Sequence, residues 1–262
     1  FNIALDKIEA AITSNTKVIM PVDVSGFPCD YDEILSLSKK HHKIFNPSNE
    51  KQKQLGRILV AADAAHSFGA IYKGNRSGSL ADVTCFSFHA VKNLTTAEGG
   101  AVCFNLPDIF DHEEIYKEFV TITLHGQSKD ALAKTKKGAW KYDVVSPGYK
   151  CNMTDIQAAI GLVELDRYAE NLERRKTIFS LYNKAFENKN WSILPPHISK
   201  DKTSSYHLYL LRIKDVTEEQ RDTIIQHIFE KNVSVNVHFQ PLPLLTAYKN
   251  LGYCMNHYPV AH

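Results

Sequence analysis

Long apolar runs are missing from this 262-residue chain, so no transmembrane helix is expected, and its first residues show no signal-peptide pattern. An excess of one charge is missing too. Lys and Arg number 31 against 29 Asp and Glu, a net charge of +2, which excludes binding nucleic acid or an anionic bilayer by bulk charge. The five cysteines (Cys29, Cys85, Cys103, Cys151, Cys254) are scattered and contain no CxxC, which argues against a disulfide framework and for a reducing, cytoplasmic setting. Internal repeats and low-complexity tracts are absent. What is present is an ordinary globular composition, 44% hydrophobic and 23% charged, long enough for one large domain or two unequal ones. Phe1 in place of an initiator methionine, and the unclosed ending "HYPVAH", lead to the expectation of truncation at both ends.

The apolar pattern predicts an α/β fold. "KVIMPVDV" (17–24) reads as a buried strand, and "DYDEILSLSKKHH" as a helix with Asp30 at its N-cap. "FNPSNEKQKQLG" reads as a polar loop. "RILVAADAAHS", "ADVTCFSFH" and "GGAVCFN" read as three further strands. Continuous apolar runs predict a mainly parallel sheet buried on both faces. From Thr154 one long helical run is expected, opened by a Thr154–Gln157 capping box. "SSYHLYLLRI" then reads as a strand, "TEEQRDTIIQHIFEKN" as a helix with a Thr217–Gln220 capping box, and the alternating "VSVNVHF" as another strand.

Ligands of parallel sheets gather at the carboxyl ends of strands. Asp63, His66, Ser87, His89 and Lys92 all fall at such ends. An amine held against a carbonyl condenses with it, provided burial lowers its pKa enough to expose the neutral form. A carboxylate ending the buried run "LVAAD" needs a partner, and a protonated pyridine nitrogen is one that turns its ring into an electron sink. Ser87 and His89 alternate with Phe88 and so point to one side, where a hydroxyl suits a phosphate oxygen. Taken singly, Asp63 also reads as a helix N-cap, His66 as a core histidine and Ser87 as a turn residue.

"DAAHSFGAIYKG", "GSLADVTCFSFHAVKNLTTAEGGAV", "HG" at 125–126 and "PGYKCNMTDIQAAIGLVELDR" together resemble the DegT/DnrJ/EryC1/StrS sugar aminotransferases. The resemblance implies the fold-type-I architecture of enzymes dependent on pyridoxal 5'-phosphate (PLP), a mainly parallel sheet flanked by helices with a smaller α/β C-terminal domain. It implies a large PLP-binding domain over 1–165, lacking its N-terminal part, and an incomplete small domain over 166–262. It further implies that Lys92 carries PLP covalently and then moves the proton between the sugar carbon and the cofactor's C4′. Asp63 would pair with the pyridine nitrogen, His66 would approach the phenolic oxygen, Ala65 would pack on a ring face and Ser87 would hold the phosphate. Lys150 or Asn152 would reach the phosphate of the neighbouring subunit, making a homodimer with shared active sites. His89 and His238 are substrate-side candidates, and Lys134, Lys136 and Lys137 are weighed as contacts for a diphosphate.

The activity implied is transfer of an amino group from an amino acid, glutamate, to a nucleotide-linked keto-sugar at C4. Its products would serve lipopolysaccharide or other cell-surface polysaccharide. The family's upstream region, with a Gly-Thr turn and helix N-terminus around the phosphate and a ring-stacking aromatic, has no counterpart here. Two other readings are carried forward: an impaired fragment acting only in dimerisation, and a metal-binding protein using Asp63, His66 and His89, with His125 as a further ligand.

Overall fold

The computed structural model describes residues 1–128 and 141–260, so Lys134, Lys136 and Lys137 lie outside the described residues. The chain divides into two compact units: Phe1–Ala185 with Pro196–Tyr209, and Phe186–Pro195 with Leu210–His262. The first unit begins with α1 (Leu5–Ala11), β1 (Val18–Ile19), α2 (Tyr31–Lys40), α3 (Glu50–Leu55) and β2 (Leu59–Asp63). It continues through β3 (Ile71–Tyr72), β4 (Asn75–Arg76), β5 (Val83–Ser87), β6 (Gly100–Phe104), α4 (His112–Thr123), α5 (Asp155–Asp166) and α6 (Tyr168–Phe186).

The main sheet has the order β1-β2-β5-β6. β1, β2 and β5 run parallel, and β6 returns antiparallel to β5. The strand expected over 17–24 shortens to two residues because Pro21 has no N–H for the ladder. The Pro21 carbonyl still accepts the Asp63 N–H at 2.9 Å, and Val22 bridges Asp63 beyond it.

Register divides the sheet into two unequal faces. Ile19, Val60, Ala62 and Thr84 share a buried face, against which α2 turns Tyr31, Ile34 and Ser38 at helical spacing. Burial on both faces is not what the structure shows. On the other face α4 covers only the near end, where Phe119 meets Phe104 with ring centroids 4.7 Å apart. Met20, Val22, Cys85 and Val102 remain exposed, because α1 and α2 pack on one side alone.

A buried ion pair ties β2 to β5 at their amino ends. Arg57 reaches both Asp82 carboxylate oxygens at 2.7 Å, and the Val60 N–H donates to the same carboxylate at 2.9 Å. Removing one partner strands the other in the core, so Asp82→Ala is expected to destabilise the chain by about 3–5 kcal/mol in urea unfolding. A loss below about 1 kcal/mol, the range of an exposed pair, would refute the structural role given to Asp82.

Other expectations are corrected. The stretch read as a polar loop contains α3, capped by the Asn49 side chain on the Gln52 N–H at 2.9 Å and closed by Gly56 at φ +67°. Asp30 stands at the N-cap of α2, but its carboxylate pairs with Lys202 Nζ at 2.8 Å rather than with the helix. The single long helix breaks at Arg167, where Tyr168 is drawn into the core and its hydroxyl donates to the Phe68 carbonyl. Both capping boxes form as read.

After β7 (Ser192–Ile193) of the second unit, the chain returns to the first as β8 (Lys202–Thr203), which joins β3 and β4 in a small antiparallel sheet. "SSYHLYLLRI" is not one strand. Tyr206 takes φ +54°, which breaks the extended run, and only β9 (Arg212–Ile213) pairs, with β7. The second unit also holds α7 (Glu218–Phe229) and the short α8 (Thr246–Asn250). "VSVNVHF" forms no strand among the described residues, because alternation alone does not hold a strand that lacks a partner. No helix among the described residues is long and apolar enough to cross a membrane.

Candidate active site

The carboxyl ends of β2 and β5 place the site. Asp63 is the last residue of β2 and stands in register with Cys85 of β5, so both face the sheet's open side. Ser87, two residues on, ends β5 on that same face. Asp63 is half-buried, and its Oδ1 accepts the Ala65 N–H at 3.1 Å, which turns the chain sharply after the strand. The Ser87 hydroxyl accepts the His89 N–H at 3.4 Å.

Lys92 sits in a closed loop between β5 and β6. The Phe88 N–H donates to the Gly99 carbonyl at 2.8 Å and the Thr96 N–H to the Phe88 carbonyl at 2.9 Å, which fasten the loop's base. The Lys92 N–H donates to the His89 carbonyl at 2.9 Å in a tight turn. Phe88, Leu94 and Tyr168 form an apolar cluster beneath, with Phe68 edge-on to the rings of Phe86, Phe88 and Tyr168. From the other side, Gln157 of α5 donates to the Glu98 carbonyl at 2.8 Å.

Lys92 is half-buried, and that burial lowers the pKa of its amine, while the nearby Asp63 carboxylate pulls it partly back. The chain thus brings an amine of lowered pKa and a carboxylate within electrostatic reach of one another, with a hydroxyl at the next strand end. Such a set can hold a carbonyl compound at the amine and a protonated nitrogen at the acid.

The remaining sequence candidates divide. Ala65 and His66 belong to the turn after β2, and the His66 ring lies 4.4 Å from that of His207. His89 is exposed and turned to Glu98, its Nδ1 2.8 Å from the carboxylate. Lys150 and Asn152 are exposed and hydrogen-bonded to each other, just ahead of α5. His238 lies in the second unit and is exposed. Among the described residues no three His, Cys, Asp or Glu side chains converge to hold an ion, Asp63, His66 and His89 included. Asn93, Ser205 and His207, buried behind Lys92, were not among the candidates. The adjacency of Asn93 to Lys92 was the one signal in the sequence, because Ser205 and His207 arrive from more than a hundred residues away.

The mostly parallel α/β sheet is that of fold-type-I PLP-dependent transferases, a fold shared with solved sugar aminotransferases in PLP and PMP forms. The chain belongs to the DegT/DnrJ/EryC1/StrS aminotransferase family, whose model matches residues 1–262. Among solved structures it is similar to Spr1654 from Streptococcus pneumoniae, assigned as a sugar aminotransferase. The PMP form of that protein gives 49% identity and a TM-score of 0.94, covering 99% of this chain and 65% of the other. A PLP form of the same protein gives a TM-score of 0.92. Among curated relatives, the spore coat polysaccharide biosynthesis protein SpsC of Bacillus subtilis is 36% identical, over 99% of this chain and 62% of its own length. The UDP-4-amino-4,6-dideoxy-N-acetyl-beta-L-altrosamine transaminase of Campylobacter jejuni is 32% identical, over 95% and 60% respectively. The chain therefore spans less than two thirds of the length of these relatives.

Proposed function

We propose that this protein is a cytoplasmic PLP-dependent aminotransferase that moves an amino group from glutamate to C4 of a nucleotide-linked keto-sugar, for cell-surface polysaccharide. The observation that carries the reading is the half-buried Lys92 amine, lowered in pKa beside Asp63 at the ends of two adjacent parallel strands. The names of two relatives support the substrate class, one a transaminase of a UDP-4-amino sugar and one a polysaccharide biosynthesis protein. The described cysteines are all free thiols, which accords with a reducing compartment.

The residues present fit PLP. Lys92 supplies the amine for its aldehyde, Asp63 the carboxylate for its ring nitrogen and Ser87 a hydroxyl for its phosphate. When bound, PLP supplies a reactive carbonyl and a ring that spreads negative charge. Asp63 would hold the proton on the ring nitrogen, and the Lys92 amine would carry protons, taking one from the donor's α-carbon in the first half of the reaction and delivering one to the sugar's C4 in the second. The direct test is to incubate the protein with glutamate and panels of UDP-, dTDP- and GDP-linked keto-sugars. An amino sugar with the new nitrogen at C4 supports the reading, and failure with every member of the panel refutes the substrate class.

Dimerisation finds support in α5. Its sequence, "DIQAAIGLVELD", buries none of its residues in this chain, and Ile156, Ile160, Leu162, Val163 and Leu165 are all exposed. A helix apolar all round is stable only when covered, which supports a second subunit as its cover. In that dimer Lys150 and Asn152, exposed just ahead of α5, would approach the partner's phosphate. Leu162→Glu is expected to weaken the dimer by about 2 kcal/mol or more, roughly thirtyfold in Kd, in sedimentation equilibrium. An unchanged dimer would exclude α5 from the interface.

A further inference from the structure

Next to Lys92 lies a layer of buried polar groups, Asn93, Ser205 and His207, distinct from the residues proposed to hold the cofactor. Asn93, the next residue, is only 8% exposed. Its Nδ2 donates to the Ser205 carbonyl at 2.6 Å, and its Oδ1 lies 2.8 Å from His207 Nδ1. The first bond fixes the amide's orientation, since a carbonyl accepts only from its nitrogen end. The oxygen end then has nothing to donate, so His207 must carry a proton on Nδ1.

The same segment grips the turn after β2. The Ser205 hydroxyl donates to the His66 carbonyl at 2.5 Å, and the Ser205 N–H to the Gly26 carbonyl at 3.0 Å. Gly26 has φ +92°, and a Cβ there would stand 2.0 Å from Ser205 Oγ, so only glycine lets the segment pass. The His207 ring lies against that of His66, 4.4 Å between centroids and tilted by 40°. The Arg175 guanidinium donates to the His207 carbonyl at 3.4 Å, which ties the segment to α6.

We propose that Asn93, Ser205 and His207 form a buried positioning clamp, worked by the Nδ1–H tautomer of His207, that fixes the Lys92 loop and the His66 ring relative to Asp63. Its catalytic meaning rests on the role proposed for Lys92. A lysine amine is carried on four rotatable bonds, so its placement is no better than that of its own backbone. A displacement near 1 Å at a reacting group can cost on the order of a hundredfold in rate. A buried amide with both ends satisfied, holding two strand-end turns at once, is a means of preventing that displacement.

The test needs no bound cofactor. Nitrogen-15 NMR of the full chain should show His207 protonated at Nδ1. Trace acetylation with acetic anhydride, read by peptide mass spectrometry against surface lysines Lys7 and Lys53, reports the reactivity of Lys92. His207→Leu and Asn93→Ala should let the loop open to water, raise the Lys92 pKa and lower its relative reactivity by about threefold or more. His207→Gln, whose amide N–H can replace the Nδ1–H, should stay within about twofold of the parent. His207 protonated at Nε2 alone, or unchanged Lys92 reactivity in a folded His207→Leu, overturns the clamp. The tautomer arm uses the parent chain and stands even if a variant does not fold. Because acetylation proceeds without PLP, failure of the clamp is distinguishable from failure of Lys92 to carry the cofactor.

Discussion

Lys92→Ala is expected to lower amino transfer by about three orders of magnitude or more, because in the proposed function one side chain both anchors the cofactor and moves the proton. The fold should survive. The turn at residue 92 is held by its backbone N–H on the His89 carbonyl, and the loop's base by Phe88, Thr96 and Gly99. Circular dichroism and thermal unfolding should therefore match the parent while product formation in a coupled assay vanishes. The pH dependence of the parent follows from burial. A lysine with a lowered pKa exposes its neutral amine at lower pH than a surface lysine, whose midpoint lies near ~10.4. Labelling of Lys92 should rise with pH and level off before the surface lysines do. A midpoint at or above theirs would refute the burial argument.

Asp63→Asn is expected to lower amino transfer by roughly a hundredfold to a thousandfold, the usual loss when one preorganised electrostatic partner is removed. The amide keeps the size of the side chain and can still accept the Ala65 N–H, so stability should change little. It cannot hold a positive charge on a ring nitrogen. The same substitution carries a second expected result of fixed sign. The Asp63 carboxylate raises the Lys92 pKa, so its removal should move the Lys92 labelling midpoint further down. Loss of activity with an unmoved midpoint would mean that Asp63 and Lys92 do not share a site.

The sequence was most informative where chemistry sits at the end of a strongly apolar strand. "LVAAD" and "VTCFS" are short apolar runs of strand length, and the polar residues closing them, Asp63 and Ser87, stand at the strands' carboxyl ends. Capping boxes were equally legible, because Thr154–Gln157 and Thr217–Gln220 are complete within four residues. What misled was local pattern without its partner. "VSVNVHF" alternates cleanly yet pairs with no strand among the described residues, and "SSYHLYLLRI" looks extended, although Tyr206 is left-handed and Ser205 is spent on Gly26 and His66. The helix hidden in "FNPSNEKQKQLG" was announced by Asn49 and Gly56, but polar composition outweighed those caps. Tertiary bonds such as Asn93 to His207 leave no local trace at all.

Reducing the PLP-loaded protein with borohydride and mapping the modified peptide tests the whole scheme on one atom. The phosphopyridoxyl group should be found on Lys92 Nζ, at one per chain, and nowhere else. Its recovery on any other lysine, or its absence, would show that the buried amine next to Asp63 is not the cofactor's anchor.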